Sequence, residues 1–196
     1  MNPAKRRATY DDLLKVPDIF VAEILDGELV TSPRPASPHA QASSVLRGAL
    51  DPFDRRISSP GGLGGWWLLF GPELHFGPDV LVPDLAGWRR ARMPVLRNVA
   101  YFELAPDWIC EVVSSSTTRV DRVRKVPIYA RERVGHLWLV DPLQQTLEVF
   151  RLEGRHWVLA STHGGAEIVR AAPFEALELD MGRWWLEPES GETEVG

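Results

Sequence analysis

The sequence predicts a mixed α/β fold with an antiparallel portion first, one strand–helix–strand crossover near the middle and a C-terminal hairpin. Three observations point to it. Two short β-rich runs flank Asp26-Gly27, a dipeptide suited to a tight hairpin turn. An almost unbroken apolar run, 108–113, leads into hydroxyl-rich and then helix-periodic sequence. Two further β-rich runs flank Glu153-Gly154.

Taken in order, residues 1–8 are basic, polar and proline-containing and are expected to be disordered. One domain is then expected over 9–186, with the acidic stretch 187–196 as a flexible tail. Thr9 is placed to cap a short helix with Asp11 and Asp12 in its first turn, Leu13 and Leu14 facing inward and Pro17 beyond its end. Residues 20–25 and 28–31 form the first hairpin, with Glu23 inside its first strand. A proline-broken connector, 32–38, leads to a helix over 38–50 with Ala42, Val45, Leu46 and Ala49 on its apolar side and His39 in its first turn. The glycine-rich stretch 58–65 has neither a lysine nor the G-x-G-x-x-G spacing, so it reads as a flexible hairpin tip rather than a phosphate cradle. Residues 66–70, 73–76 and 80–85 follow as a meander of strands.

The run 108–113 is apolar apart from Glu111, the pattern of a strand buried on both faces. Residues 114–117 offer N-capping hydroxyls, and Val120, Val123, Ile128 and Val134 recur at roughly helical spacing over 118–134. Pro127 interrupts that helix, because its ring clashes with the carbonyl four residues back and it has no N–H to donate; a kink or two shorter helices are expected. Residues 136–140 supply the next strand, parallel to its predecessor through a right-handed crossover. Residues 146–151 and 157–162 pair across Glu153-Gly154, and 167–170 and 176–179 supply short terminal strands.

Composition narrows the function classes. With 196 residues, 44% hydrophobic and 25% charged, the chain can bury a substantial core. Its apolar runs are too short to cross a bilayer and its first residues lack an apolar signal region, so no membrane association and a cytoplasmic location are expected. The single cysteine, Cys110, excludes an internal disulfide and a cysteine-based zinc site and reads as core. A net charge of −5 gives no bulk attraction for nucleic acid. Arginines nevertheless cluster as Arg89, Arg90, Arg92 and Arg97 and as Arg119, Arg122 and Arg124, either as local positive patches or as solvated surface.

The chemistry-bearing residues lie between Val80 and Lys125. Asp84 and Glu111 sit at or inside apolar strands, where a carboxylate must find a partner or bind a cation. Mg²⁺, or Mn²⁺ in its place, takes oxygen ligands and is held by one or two carboxylates. If the two strands are neighbours, Asp84 and Glu111 converge and the carbonyl of Val112 can add a metal ligand. Lys125 shares a helix face with Asp121, Ile128 and Tyr129, from which it can reach back toward Glu111 to hold or deprotonate a water or to neutralise a developing phosphate charge. The competing reading is an Asp121–Lys125 pair on an exposed helix surface. Glu111 paired with an arginine, Asp84 capping its strand, and Glu23 and Glu73 as half-exposed strand residues are the corresponding alternatives. His39 and His136 read as local hydrogen bonders. The serines of 114–116 have no G-x-S-x-G elbow and read as helix caps.

The motifs ILDGELV (24–30), PDLAGW (83–88), PDWICEVVSSST (106–117) and DRVRKVPIYARERVGHLWLVDP (121–142) resemble the Uma family of the PD-(D/E)XK superfamily over about residues 9–180. The resemblance implies a restriction-endonuclease-like fold, a mixed β-sheet core flanked by helices, and a Mg²⁺- or Mn²⁺-dependent endonuclease acting on DNA. It places Asp84 at the PD aspartate and Glu111 at the acid of the second half-motif. Val113 stands where the superfamily has its lysine; the family's migrated lysine corresponds to Lys125, and Glu23 corresponds to an acid before the D-G turn. The sequence departs from the family pattern at SSST, where S-P-S-T is usual, and at Arg133, where glycine is common. A homodimer is expected, because two symmetric sites cut two strands most simply. The alternatives are a catalytically inactive nucleic-acid-binding or protein-interaction module on the same fold, and a hydrolase of another phosphoester.

Overall fold

The computed structural model describes residues 6–56 and 63–187. Most of the expected N-terminal and tail segments, and most of the glycine-rich stretch 58–65, lie outside them. Residues 6–8 are attached: the Ala8 N–H donates to the Gly27 carbonyl at 2.8 Å. The Thr9 N–H and hydroxyl both donate to the Asp12 carboxylate, at 2.9 and 2.8 Å, and this cap starts α1 (Tyr10–Leu13). Leu13 is buried, whereas Leu14, expected to face inward, is 62% exposed because the helix ends before it completes a second turn.

Asp26 and Gly27 adopt φ of 54° and 80°, the left-handed pair required by a two-residue turn, and join β1 (Phe20–Leu25) to β2 (Glu28–Pro33). The first long helix, α2 (Ser37–Ala49), carries Pro38 in its first turn, where a missing N–H costs nothing, and buries Ala42 and Leu46. Next come β3 (Trp66–Phe70), β4 (Leu74–Phe76), β5 (Asp79–Leu81) and β6 (Leu85–Arg89). They are not a simple meander. Residues 80–85 are not one strand, because the chain leaves β5 at Val82-Pro83-Asp84 and enters a different sheet as β6. Proline has no N–H for the ladder, which suits this break.

Two sheets result. One has the order β2-β1-β5-β4. The other contains β3 and β6, then β7 (Trp108–Val112), β8 (His136–Asp141), β9 (Thr146–Glu153) and β10 (His156–Gly164), in the order β10-β9-β8-β7-β6-β3. Only β7 and β8 are parallel, as the crossover requires, and β9–β10 is the expected hairpin extending the sheet. The short pair β11 (Ile168–Val169) and β12 (Leu179–Asp180) follows.

Every residue of β7 is buried, since its alternating side chains enter two cores. Trp108, Cys110 and Val112 join Trp138, Val140, α2 and the C-terminal segment around Phe174 and Trp184. Ile109 joins Leu137, Leu139, Ile128, Tyr129 and residues of the smaller sheet. Cys110 is a core residue, as its context indicated, and burial pushes its thiol well above the ordinary range.

The crossover from β7 to β8 is a continuous helical segment of three parts: α3 (Thr118–Val120), a π-helical turn (Asp121–Lys125) and α4 (Val126–Arg131). The wide turn, in which the Val126 N–H reaches back five residues to the Asp121 carbonyl, puts Pro127 in the first turn of α4, so the break expected at proline is taken up just before it. The helix ends at Arg131 rather than at Val134, and Val123, expected on the apolar side, is 62% exposed. Arg133 follows with φ of 64°, and the Val134 N–H closes the helix end onto the Tyr129 carbonyl.

Candidate functional site

Strand register brings the acids together. In the antiparallel β6–β7 pair Leu85 faces Cys110, so Asp84, one residue before β6, comes opposite Glu111. Asp84 accepts the Val112 N–H at 2.7 Å through Oδ2, so it does cap a strand position while also lining a cleft. Glu23 approaches from β1 of the other sheet and accepts the Val82 N–H at 2.8 Å, which ties it to the segment where the chain changes sheets.

Lys125 meets these acids from the helix. Its Nζ lies 2.8 Å from Glu111 Oε1, 3.0 Å from Glu23 Oε1 and 3.6 Å from Asp121 Oδ1. The Asp121–Lys125 pair therefore exists, but as a buried one rather than an exposed surface pair. Glu111 is paired with this lysine and with the Tyr129 hydroxyl, not with an arginine. The arginine clusters, by contrast, are largely engaged elsewhere: Arg92 binds Asp107 at 2.9 Å, Arg122 pairs with Glu148, and Arg124 pairs with Glu28 at 3.2 Å.

The charge balance is uneven. Glu23, Asp84, Glu111 and Asp121 all line the cleft that Lys125 enters. Burial drives the Glu111 carboxyl well above its ordinary range; Lys125 opposes this, while Asp121, Asp84 and Glu23 add to it. Asp121 is raised for the same first reason. Burial alone would lower Lys125, yet Glu111, Glu23 and Asp121 together hold it well above the usual lysine value, so it stays charged. Glu111 is almost fully enclosed, its side chain 2% exposed, whereas Asp84 is 19% exposed and faces the opening.

Across residues 8–182 the chain matches the Uma2 family model, described as "Putative restriction endonuclease". The chain belongs to the Uma2 family. A crystal structure from Anabaena variabilis ATCC 29413, of "a putative nuclease belonging to DUF820", is similar with 22% identity and a TM-score of 0.68, covering 90% of this chain and 97% of that one. At this identity the likeness establishes the fold, the restriction-endonuclease-like mixed α/β arrangement. No curated protein matches.

In this Uma2 chain the structure thus gathers Asp84, Glu111, Lys125 and Glu23 in one place. Val112, the fifth residue singled out in the sequence, lines the same cleft of about 180 Å³. Two residues there, His39 and Asp121, and Tyr129 buried behind Glu111 were read otherwise. His39 is buried, its Nε2 3.0 Å from Asp84 Oδ1; nothing in its local sequence marks it, since the partner is far along the chain. Tyr129 was placed on the Lys125 face of the helix but given no role; its hydroxyl donates to Glu111. Asp121 looked like a surface partner, and only its shared spacing with Lys125 signalled more. Glu73 and His136 are absent from this cleft; Glu73 instead binds the Tyr10 hydroxyl at 2.8 Å and His75 at 2.7 Å. A larger cavity, about 830 Å³, is bounded by the loop 92–104 and none of the four acids lines it.

The oxygen-rich, negatively charged donor set is of the kind a hard divalent cation takes. Among the described residues, however, no group of three or more His, Cys, Asp or Glu is already spaced to hold a metal ion. Asp84 Oδ2 accepts the Val112 N–H, Asp84 Oδ1 lies 3.0 Å from His39 Nε2, and Glu111 Oε1 lies against Lys125 and the Tyr129 hydroxyl. A cation would fit this chemistry by displacing Lys125 from Glu111 and taking the lone pairs that Val112 and His39 leave free on Asp84.

Proposed function

We propose that the protein is a Mg²⁺- or Mn²⁺-dependent endonuclease that hydrolyses DNA phosphodiester bonds. The observation that carries this reading is the convergence of four carboxylates and one buried lysine, from both sheets and the crossover helix, on a cleft with an excess of negative charge. Asp84, Glu111 and the Val112 carbonyl would hold the cation, which would supply polarisation of the phosphoryl group and a more acidic water. Lys125, held between Glu111 and Glu23, orients the water and neutralises developing phosphate charge. Glu23 holds Lys125 at 3.0 Å and so sets its reach. Two copies related by a dyad would present one site to each strand of a duplex.

Purified protein with Mn²⁺ or Mg²⁺ is expected to nick DNA. Asp84→Ala and Glu111→Ala are each expected to lower the rate at least about a hundredfold, consistent with losing a principal electrostatic contribution. Activity surviving both substitutions would overturn the mechanism. The same protein donors on Asp84 and Glu111 favour a second reading, a binding module whose acids are permanently occupied. Calorimetric titration separates the two: absence of Mn²⁺ binding at millimolar ion, together with absence of cleavage, selects the module.

A further inference from the structure

We propose that His39 is a positioning residue for Asp84, holding the carboxylate so that it presents to the cleft; this rests on the metal-site reading above. Asp84 is the most open of the four acids and the only one on a segment between two strands, so its rotamer is not set by strand packing. Two contacts from different elements hold it. The Val112 N–H holds Oδ2 at 2.7 Å from β7, and His39 Nε2 meets Oδ1 at 3.0 Å from α2. The imidazole is itself restrained. Ser43, fully buried one turn later on α2, lies 3.3 Å from His39 Nδ1 while donating to the His39 carbonyl at 2.8 Å.

The ring is therefore clamped between a buried hydroxyl and the carboxylate, an arrangement in which an outer partner orients an acidic ligand. Other features of α2 do not account for it. The helix is anchored by Ala42 and Leu46, both fully buried. A histidine in its first turn, against a carboxylate, is an expensive way to fill space. His39 also lines the cleft, so it meets the same space as the metal ligands rather than a separate pocket.

The test compares wild type with His39→Ala, His39→Gln and Ser43→Ala. The glutamine amide nitrogen reaches about as far as Nε2 and restores a donor. Mn²⁺ affinity by calorimetry is expected to fall roughly 10- to 100-fold in His39→Ala and to recover toward wild type in His39→Gln. Without any metal, hydrogen exchange at the Val112 amide is expected to accelerate in His39→Ala, because Asp84 is released on one side; Ser43→Ala should show a smaller change in the same direction.

Unchanged Val112 exchange in His39→Ala, or a glutamine variant no better than alanine, overturns the inference. If wild type itself neither binds Mn²⁺ nor cleaves DNA, the nuclease reading fails, and Val112 exchange alone then decides whether His39 positions Asp84. Should His39→Ala not fold, His39→Gln and Ser43→Ala carry the comparison.

Discussion

Glu111 is where burial and charge conflict most. Its carboxyl is raised above its ordinary 4.5 chiefly by burial, and Asp121 is raised above 3.8 in the same way. A carboxyl with a raised folded-state value binds its proton more tightly in the native state, so stability falls as pH rises from the unfolded value toward the folded one. Lys125 has the complementary sign: its contribution is complete below 10.5 and is lost as pH rises through its higher folded value. The urea midpoint of the metal-free protein is thus expected to fall as pH rises above the ordinary carboxyl value of 4.5, and Glu111→Gln should remove much of that slope. A glutamine variant with the wild-type slope would assign the dependence to other groups. Asp84 and Glu111 were legible as acids in apolar runs, whereas Lys125 and Glu23 stood out through the family resemblance and, for Lys125, through its shared helix face. His39 and Tyr129 were not, since each is unremarkable until a partner distant in sequence is placed beside it.

At the level of elements, the helix end before β8 offers the clearest intervention. Arg133 holds φ of 64°, a conformation that costs an L-residue about 1 kcal/mol and costs glycine little. Arg133→Gly forfeits an exposed hydrogen bond to the Gly154 carbonyl, worth little at the surface. Glycine's greater freedom in the unfolded chain takes back about 0.4–1 kcal/mol, so the net expectation is a gain of no more than about 0.5 kcal/mol in chemical denaturation, with β8 unmoved. A loss of stability would show that the arginine side chain outweighs its backbone strain. Most elements were readable from turn residues and periodicity, including the Asp26-Gly27 hairpin and the parallel β7–β8 pair. The exchange between sheets at Val82-Pro83-Asp84 was not, because β5 and β6 have similar local patterns and strand propensity does not say which neighbour a strand will choose. Pro83 was the one local sign of the break.

At the level of the whole molecule, a net charge of −5 is compounded by arginines tied to carboxylates, such as Arg47 with Asp54 and Arg131 with Asp79. This pairing reduces the positive charge left to release counterions from a nucleic acid. DNA affinity measured by fluorescence anisotropy with an inactive variant in Ca²⁺ should therefore depend weakly on salt, with a log–log slope shallower than about −3. A steep slope would reveal a basic surface assembled in the complex. The total charge was visible in the sequence, but the pairing that consumes the positive part of it was not.

The placement of Asp84 between the two sheets also bears on how the site comes into being. Glu23 lies on an early strand, Asp84 on the link to the second sheet, and Glu111 and Lys125 further along the crossover that β8 completes. No contiguous portion of the chain short of Lys125 contains the full set of charges. A nascent chain emerging from the ribosome consequently carries an unfinished site until the crossover has been made, and the hydrolytic chemistry proposed for it is withheld during synthesis by topology alone.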